Sequence, residues 1–403
     1  MKNILIVTNE YSSDSRPNER WPKVVSYFAQ EWSRNNNVVV VINSSKFPRF
    51  YYYFNFLLKT VIAKIYHKNP NYITDRQWRK EFDYMDGNIR VYNKPLLKYF
   101  PHAKFTNKQL RLQILRIVEE LSRNSFEPDI IVGHWIDPQL DIVLGLKGYF
   151  NAKTALVAHG ASTRKMKFQR TLGKKLDQLD RFGCRNLPLA KVYYEKYRLR
   201  EMPFVCPSGL PDRFINNIPT NKCVFSDKEI RFVTTCRLLN WKCIDDAVKG
   251  VSLAMGLDAY HYDIIGDGPE QNHINNIINK LGVNNKVSLL GRLQREEIQS
   301  KLQQADCFIM ISKGETFGLV YLEAMIQGCI TIGSKGGGID GVIIDGINGF
   351  LCKEGDANDL ARVLKHIMGL SREEINSISR KAIETAREYT DSKVAQRYLD
   401  TIC

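Results

Sequence analysis

Glu315 and Glu323 are the side chains in this sequence best spaced to do chemistry together. Seven residues separate them in the run Ser312-Lys313-Gly314-Glu315-Thr316-Phe317-Gly318-Leu319-Val320-Tyr321-Leu322-Glu323-Ala324. Ahead of that run, Asp306 to Ile311 is apolar and β-branched, the pattern of a buried strand. Behind the turn, Val320 to Gln327 carries the Glu, Ala and Met of a helix body. The segment is therefore strand, glycine-containing turn, helix. N–H groups at the start of such a helix, here those of Phe317, Gly318 and Leu319, make a site for an anion. A carboxylate does not bind phosphate, but it accepts hydrogen bonds from sugar hydroxyls. Two carboxylates flanking a phosphate-ready turn suit a phosphate set between two sugars, as in a nucleotide sugar.

Other segments extend the pattern. Phe232-Val233-Thr234-Thr235-Cys236-Arg237-Leu238-Leu239-Asn240-Trp241-Lys242 is a strand followed by two cations. Asp263-Ile264-Ile265-Gly266-Asp267-Gly268-Pro269-Glu270 and Val287-Ser288-Leu289-Leu290-Gly291-Arg292 are strands ending in glycine turns. Gly337-Gly338-Ile339-Asp340-Gly341 and Asp345-Gly346-Ile347-Asn348-Gly349-Phe350-Leu351 follow the carboxylate pair. Together and in this order they resemble the retaining glycosyltransferases of family 4, of the two-domain GT-B fold, whose motif is Glu, seven residues, Glu. The first half of the chain resembles that family only weakly.

The resemblance implies roles. Arg237 and Lys242 would hold the donor diphosphate and offset the charge growing on the leaving group, which fixed cations in a closed cleft can do. Glu323 would accept the ribose hydroxyls, Glu315 those of the transferred sugar, and Arg292 and Leu293 would touch the base. For the cations, solvated surface positions are the plain alternative; for Glu315 it is a carboxylate favoured by the helix dipole, and for Glu323 a solvent-facing helix position. Gly337 and Gly338 suit a turn approached closely by ligand. Many members carry Glu where Gly341 stands, with Asp340 a candidate substitute, and often Gly where Cys236 and Cys243 stand. His159, at the end of Thr154-Ala155-Leu156-Val157-Ala158-His159-Gly160, would be the family's active-site His beside the transferred sugar. His134 ends the preceding strand and is its rival. The loop Asn9 to Trp21 lacks the family's Gly-Gly pair and offers Ser12, Ser13, Ser15 and Arg16 to acceptor or phosphate.

These residues need a scaffold. Strand-like runs at 3–8, 38–43, 129–133 and 154–158 alternate with helical patterns, and a second series runs near 231–236, 261–265, 287–290, 307–311 and 329–333. The expected architecture is α/β, two doubly wound Rossmann-like parallel-sheet domains with the ligand at the carboxyl ends of the strands. Residues 1–203 would form the acceptor-binding domain, 204–385 the nucleotide-sugar domain, and 386–403 a helix packing back on the first.

Composition narrows the class. The chain has 403 residues, 44% hydrophobic and 25% charged, as in globular proteins. No apolar stretch reaches the roughly 20 residues of a membrane span. The start, Met1 to Thr8, reads as a strand rather than a signal peptide. Nine scattered cysteines without Cys-x-x-Cys or Cys/His clusters fit a reducing cytosol without structural zinc. There is no Asp-x-Asp motif, no Walker loop and no complete dinucleotide fingerprint, so neither a metal nor a nicotinamide cofactor is expected. The net charge is +15, and residues 1–205 hold 35 Lys/Arg against 18 Asp/Glu. That asymmetry calls for an acidic partner: lipid headgroups, lipid-linked acceptors or nucleic acid. Phe54, Leu57, Leu58, Val61, Ile62 and Ile65 share a helical face beside Lys59, Lys64 and Lys68, suiting either an interfacial helix or core packing.

The expectation is a retaining, metal-independent hexosyltransferase at the cytoplasmic face of a membrane. Its partners would be a nucleoside-diphosphate sugar and a lipid-linked glycan of a cell-surface polysaccharide. A sugar-phosphate synthase or nucleotide-sugar epimerase is the enzymatic alternative. A basic nucleic-acid-binding protein is the non-enzymatic one, opposed by the lack of any nucleic-acid module in the basic half.

Overall fold

The structure, a computed structural model, describes residues 1–13, 15, 23–48, 80–100, 103–160, 170–218, 225 and 229–403. The segment 54–68 with Lys59, Lys64 and Lys68, and Arg16 of the first loop, lie outside the described residues.

The first sheet takes strands β1 (Asn3–Thr8), β2 (Asn37–Ile42), β4 (Phe82–Asp86), β5 (Ile89–Asn93), β7 (Ile130–His134), β8 (Lys153–Ala158), β9 (Arg181–Cys184) and β10 (Phe204–Val205); β3 (Ser45–Lys46) pairs with β6 (Leu96–Leu97) beside it. Its order is β10-β9-β8-β7-β1-β2-β5-β4, parallel except that β4 runs against β5. The second sheet, all parallel, takes β11 (Ile230–Thr235), β12 (Tyr260–Ile265), β13 (Val287–Gly291), β14 (Cys307–Ile309), β15 (Ile330–Ser334) and β16 (Phe350–Cys352) in the order β13-β12-β11-β14-β15-β16. Central strands such as Ile4–Val7 and Cys307–Ile309 are wholly buried, because helices cover both faces of a parallel sheet. The chain thus has the two Rossmann-like sheets anticipated.

Two boundaries differ from expectation. Residues 204–205 pair with β9 and complete the first sheet rather than opening the second domain. Ala386 lies in the helix Arg372–Arg387; the returning helix is Asp391–Ile402, started by the Thr390 hydroxyl accepting from Lys393 N at 3.3 Å. Val394, Tyr398 and Ile402 of that helix pack with Ile4, Val38 and Trp32 of the first domain, and Trp32 Nε1 donates to Ala395 O at 2.9 Å.

Candidate active site

Parallel strands end at one edge, and there the two domains meet, Asn186 of the first donating from Nδ2 to Thr316 O of the second at 2.6 Å. On the second-domain side β14 runs into the turn that carries Glu315. Tyr321, fully buried, donates from its hydroxyl to Met310 O at 2.6 Å and so fastens the helix Leu319–Ile326 to the strand end. Gly318 occupies the N-cap and has no side chain to cap the first turn, in which Tyr321 N donates to Gly318 O at 3.0 Å. The expected anion site falls at this terminus. The Phe317 side chain is buried in the core, so only its backbone can serve a ligand, while Gly318 and Leu319 are half-buried.

Lys242 is buried, and its ammonium is bonded to Glu315 Oε2 and lies 4.4 Å from the Trp241 ring centroid. Glu315 Oε1 also accepts from Thr316 N at 3.1 Å. Lys242 and Glu315, 73 positions apart in sequence, thus form one unit at the strand ends. Cys243 adopts the left-handed conformation, φ 54°, that a glycine would favour, so the loop keeps its tight turn with a thiol in place. Arg237 is exposed and, with Arg292, Leu293, Gly266 and Arg295, lines a cleft of about 660 Å³. The Gly266–Gly268 turn packs on the segment bearing Arg237, with Leu238 N donating to Asp267 O at 2.7 Å. Glu323 reaches Arg295 at 3.4 Å. Burial raises the Glu323 carboxyl above the usual carboxylate range, and Arg295 opposes that shift.

Two glycine expectations are corrected. A Cβ on Gly338 would come within 2.5 Å of the Thr316 backbone, so what approaches Gly338 is the Glu315 turn itself rather than a ligand. Gly341 has φ 100°, and a Cβ there would meet Leu187 of the first domain at 2.8 Å. A Glu at 341 does not fit this arrangement. The Asp340 carboxylate accepts from Gly336 N at 2.6 Å within its own turn.

The first-domain side brings the two rival histidines together. His134 Nδ1 and His159 Nε2 lie 2.8 Å apart, one donating and one accepting. Burial pushes His134 down to about 3, with the Arg185 guanidinium adding to the effect. Burial, His134 and Arg185 likewise hold His159 well below the ordinary imidazole range. Both rings are neutral at physiological pH. The His159 ring stacks on Trp135, centroids 4.1 Å apart, and Trp135 holds a left-handed φ of 68°, a strained setting for an aromatic residue.

Four residues with a part here escaped the sequence reading. Trp135 orients His159. Arg185, buried, donates to Pro207 O at 3.1 Å behind the histidines. Arg295 holds Glu323. Asn186 caps the helix Leu187–Tyr197, its Oδ1 accepting from Leu189 N at 2.8 Å, and its Nδ2 crosses the cleft to Thr316 O at 2.6 Å. The Asn-Leu-Pro start of that helix was a readable N-cap signal; its bond to the other domain was not.

Residues 220–388 match the family model described as glycosyl transferases group 1. The chain is 34% identical over 137 residues to an N-acetyl-alpha-D-glucosaminyl L-malate synthase of Bacillus anthracis, a stretch covering 34% of this chain and 35% of that protein. A putative colanic acid biosynthesis glycosyltransferase of Salmonella typhimurium is 22% identical over 74% of this chain and 76% of its own. The first curated relatives are matched over only 24% to 35% of their length. Among solved structures, Anabaena Alr3699/HepE in complex with UDP and glucose superposes with TM-score 0.62 at 15% identity, covering 99% of both chains, and the apo lipopolysaccharide outer core galactosyltransferase WaaB does so with 0.66 at 16%, covering 99% and 98%. Likeness at such identity speaks to fold. The chain has the GT-B fold, and its residues 220–388, which hold Arg237, Lys242, Arg292, Glu315 and Glu323, match the model of the group 1 glycosyl transferases.

Proposed function

We propose that the protein is a retaining, metal-independent glycosyltransferase that moves a hexose from a nucleoside-diphosphate sugar to a lipid-linked glycan. The observation that carries this reading is the Lys242–Glu315 unit together with a helix N-terminus that has no side-chain cap and a cleft lined by Arg237 and Arg292, all in the second domain. The diphosphate sits against the helix N–H groups between Arg237 and Lys242. Glu323 accepts the ribose hydroxyls, Arg292 and Leu293 face the base, and Glu315 holds Lys242 while accepting from the sugar. Neutral His159, stacked on Trp135, donates to or accepts from a hydroxyl of that sugar without adding charge. As the anomeric carbon–phosphate bond breaks, Arg237 and Lys242 offset the charge on the leaving diphosphate. The acceptor oxygen attacks from the same face, and the departing phosphate takes its proton, so configuration is retained. No cofactor enters this scheme. Relatives named for colanic acid and lipopolysaccharide biosynthesis support a glycan acceptor, and the basic first half supports a peripheral place on the cytoplasmic face of an anionic membrane. A small soluble acceptor is the second reading, favoured by the relative named as an L-malate synthase.

Thermal-shift measurement against a panel of nucleoside diphosphates and their sugars tests the donor, since a ligand that binds only the native state raises the melting temperature. NMR of the product anomer tests retention. No shift with any nucleoside diphosphate would sink the donor assignment, and an inverted anomer would sink the mechanism.

A further inference from the structure

The helix Asn107–Arg123 buries Leu110, Gln113, Ile117 and Leu121 against the first domain. Its opposite face mixes apolar side chains with the polar ones such a helix ordinarily shows. Leu112 and Leu115 stand there 51% and 40% exposed, each one helical turn after an exposed cation, Lys108 and Arg111. The loop leading in adds Tyr99 and Phe100, 56% and 60% exposed. Loop and helix are one surface, because Gln109 Nε2 donates to Leu97 O at 2.9 Å. Residues 94–118 contain no Asp or Glu. Lys94 and Arg116 are paired with Glu81, but exposed Lys108 and Arg111 form no ion pair among the described residues.

The position of this surface matters. Its loop leaves the carboxyl end of β5, which is parallel to β2, β1, β7 and β8 and so ends at the same edge as His134 and His159. Burial raises the carboxyl of Asp137, three residues past His134, and the charges of Lys98 and Lys104 pull it back down. The basic loop therefore borders the histidine side of the cleft. Cations alone would suit a nucleic acid or a soluble acidic glycan. Exposed Leu and aromatic side chains interleaved with them suit a bilayer interface, where apolar groups enter the acyl boundary and the cations meet the headgroups.

We infer that the surface formed by Tyr99, Phe100 and the Lys108–Leu115 face docks on an anionic lipid bilayer, presenting the acceptor side of the cleft to lipid-linked substrate. This rests on the lipid-linked reading of the acceptor above and names the surface that serves it. Flotation with vesicles of phosphatidylcholine alone, and of phosphatidylcholine with phosphatidylglycerol, tests it with two double variants: Lys108→Glu with Arg111→Glu, and Leu112→Ser with Leu115→Ser. The wild type should float only with the anionic vesicles and be released by salt. Charge reversal should lower partitioning by roughly a hundredfold, the leucine variant should also detach, and both should keep the wild-type thermal shift with nucleoside diphosphate. Unchanged flotation of both variants beside a floating wild type would reject this surface and leave the membrane reading standing. A wild type that ignores anionic vesicles at low salt, or is retained on RNA instead, would overturn both.

Discussion

At the scale of single residues, the site joins charges already paired, Lys242 with Glu315 and Arg295 with Glu323, to an exposed arginine, Arg237. Glu323 is half-buried beside Arg295, an arrangement that leaves its oxygens able to accept from hydroxyls. Glu323→Gln should therefore weaken nucleoside-diphosphate binding roughly tenfold or more, because charge-assisted hydrogen bonds are worth about 1.5–3 kcal/mol each. Titration calorimetry showing unchanged affinity would remove Glu323 from the ribose. Arg237 is exposed in the cleft and has no charged partner among the described residues, so the proposed scheme assigns its charge to the leaving diphosphate. Arg237→Ala should cut kcat by about 10²–10³ with a smaller effect on donor affinity. The same assays with EDTA should match those without it; activity that EDTA abolishes and magnesium restores would end the metal-free scheme.

At the scale of elements, the Glu315 turn is held from two directions. Tyr321 ties its helix to β14, and Asn186 ties the turn to a helix start in the other domain. Asn186→Ser keeps an N-capping oxygen but shortens the side chain and removes the amide that reaches Thr316. The melting temperature should stay close to wild type, since Ser and Asn cap comparably. Turnover should fall up to about tenfold, the worth of one net hydrogen bond of about 0.5–1.5 kcal/mol acting on the turn. A lower melting temperature with unchanged kcat and KM would make Asn186 a cap and nothing more. The β4–β5 hairpin went unread although Asp86-Gly87-Asn88 is a turn signal, with Gly87 at φ 61°. Its alternating exposed residues lie on an edge, where polar and apolar types mix and the pattern of a central strand is lost. β9, β10 and β16, of two to four residues, were too short to show a period.

At the scale of the whole molecule, the returning helix and the buried histidines set a pH limit. His134 packs against Phe28 and, edge-on, against Tyr398 of the last helix, in a place that holds it neutral down to about 3. Its ordinary value is 6.5. Between those values the unfolded chain binds a proton that the folded chain refuses, so stability is complete above about 6.5 and declines as pH falls toward 3. His159 adds a decline of the same sign. Melting temperatures measured from pH 7.5 to 4 should therefore drop, and His134→Gln should flatten part of the slope. A variant with the wild-type slope would show that the acid lability arises elsewhere.

The sequence by itself determined the strand, turn and helix that carry Glu315 and Glu323. Strand, glycine turn and helix with their carboxylates are local patterns, written by period and spacing within a few dozen residues, and the Arg237, Lys242, Glu315 and Glu323 constellation could be named before any coordinates. It also determined the class of fold, since alternating strand and helix periods admit few parallel architectures. Tertiary structure decided which distant residues meet. It joined His134 to His159, placed Arg185 behind them, paired Arg295 with Glu323, and closed Gly341 against Leu187. None of these contacts has a local signal, because each depends on how two separately folded sheets and one crossing helix are stacked. Packing of that kind is set by the summed shape and burial of whole elements, and no short run of residues records it.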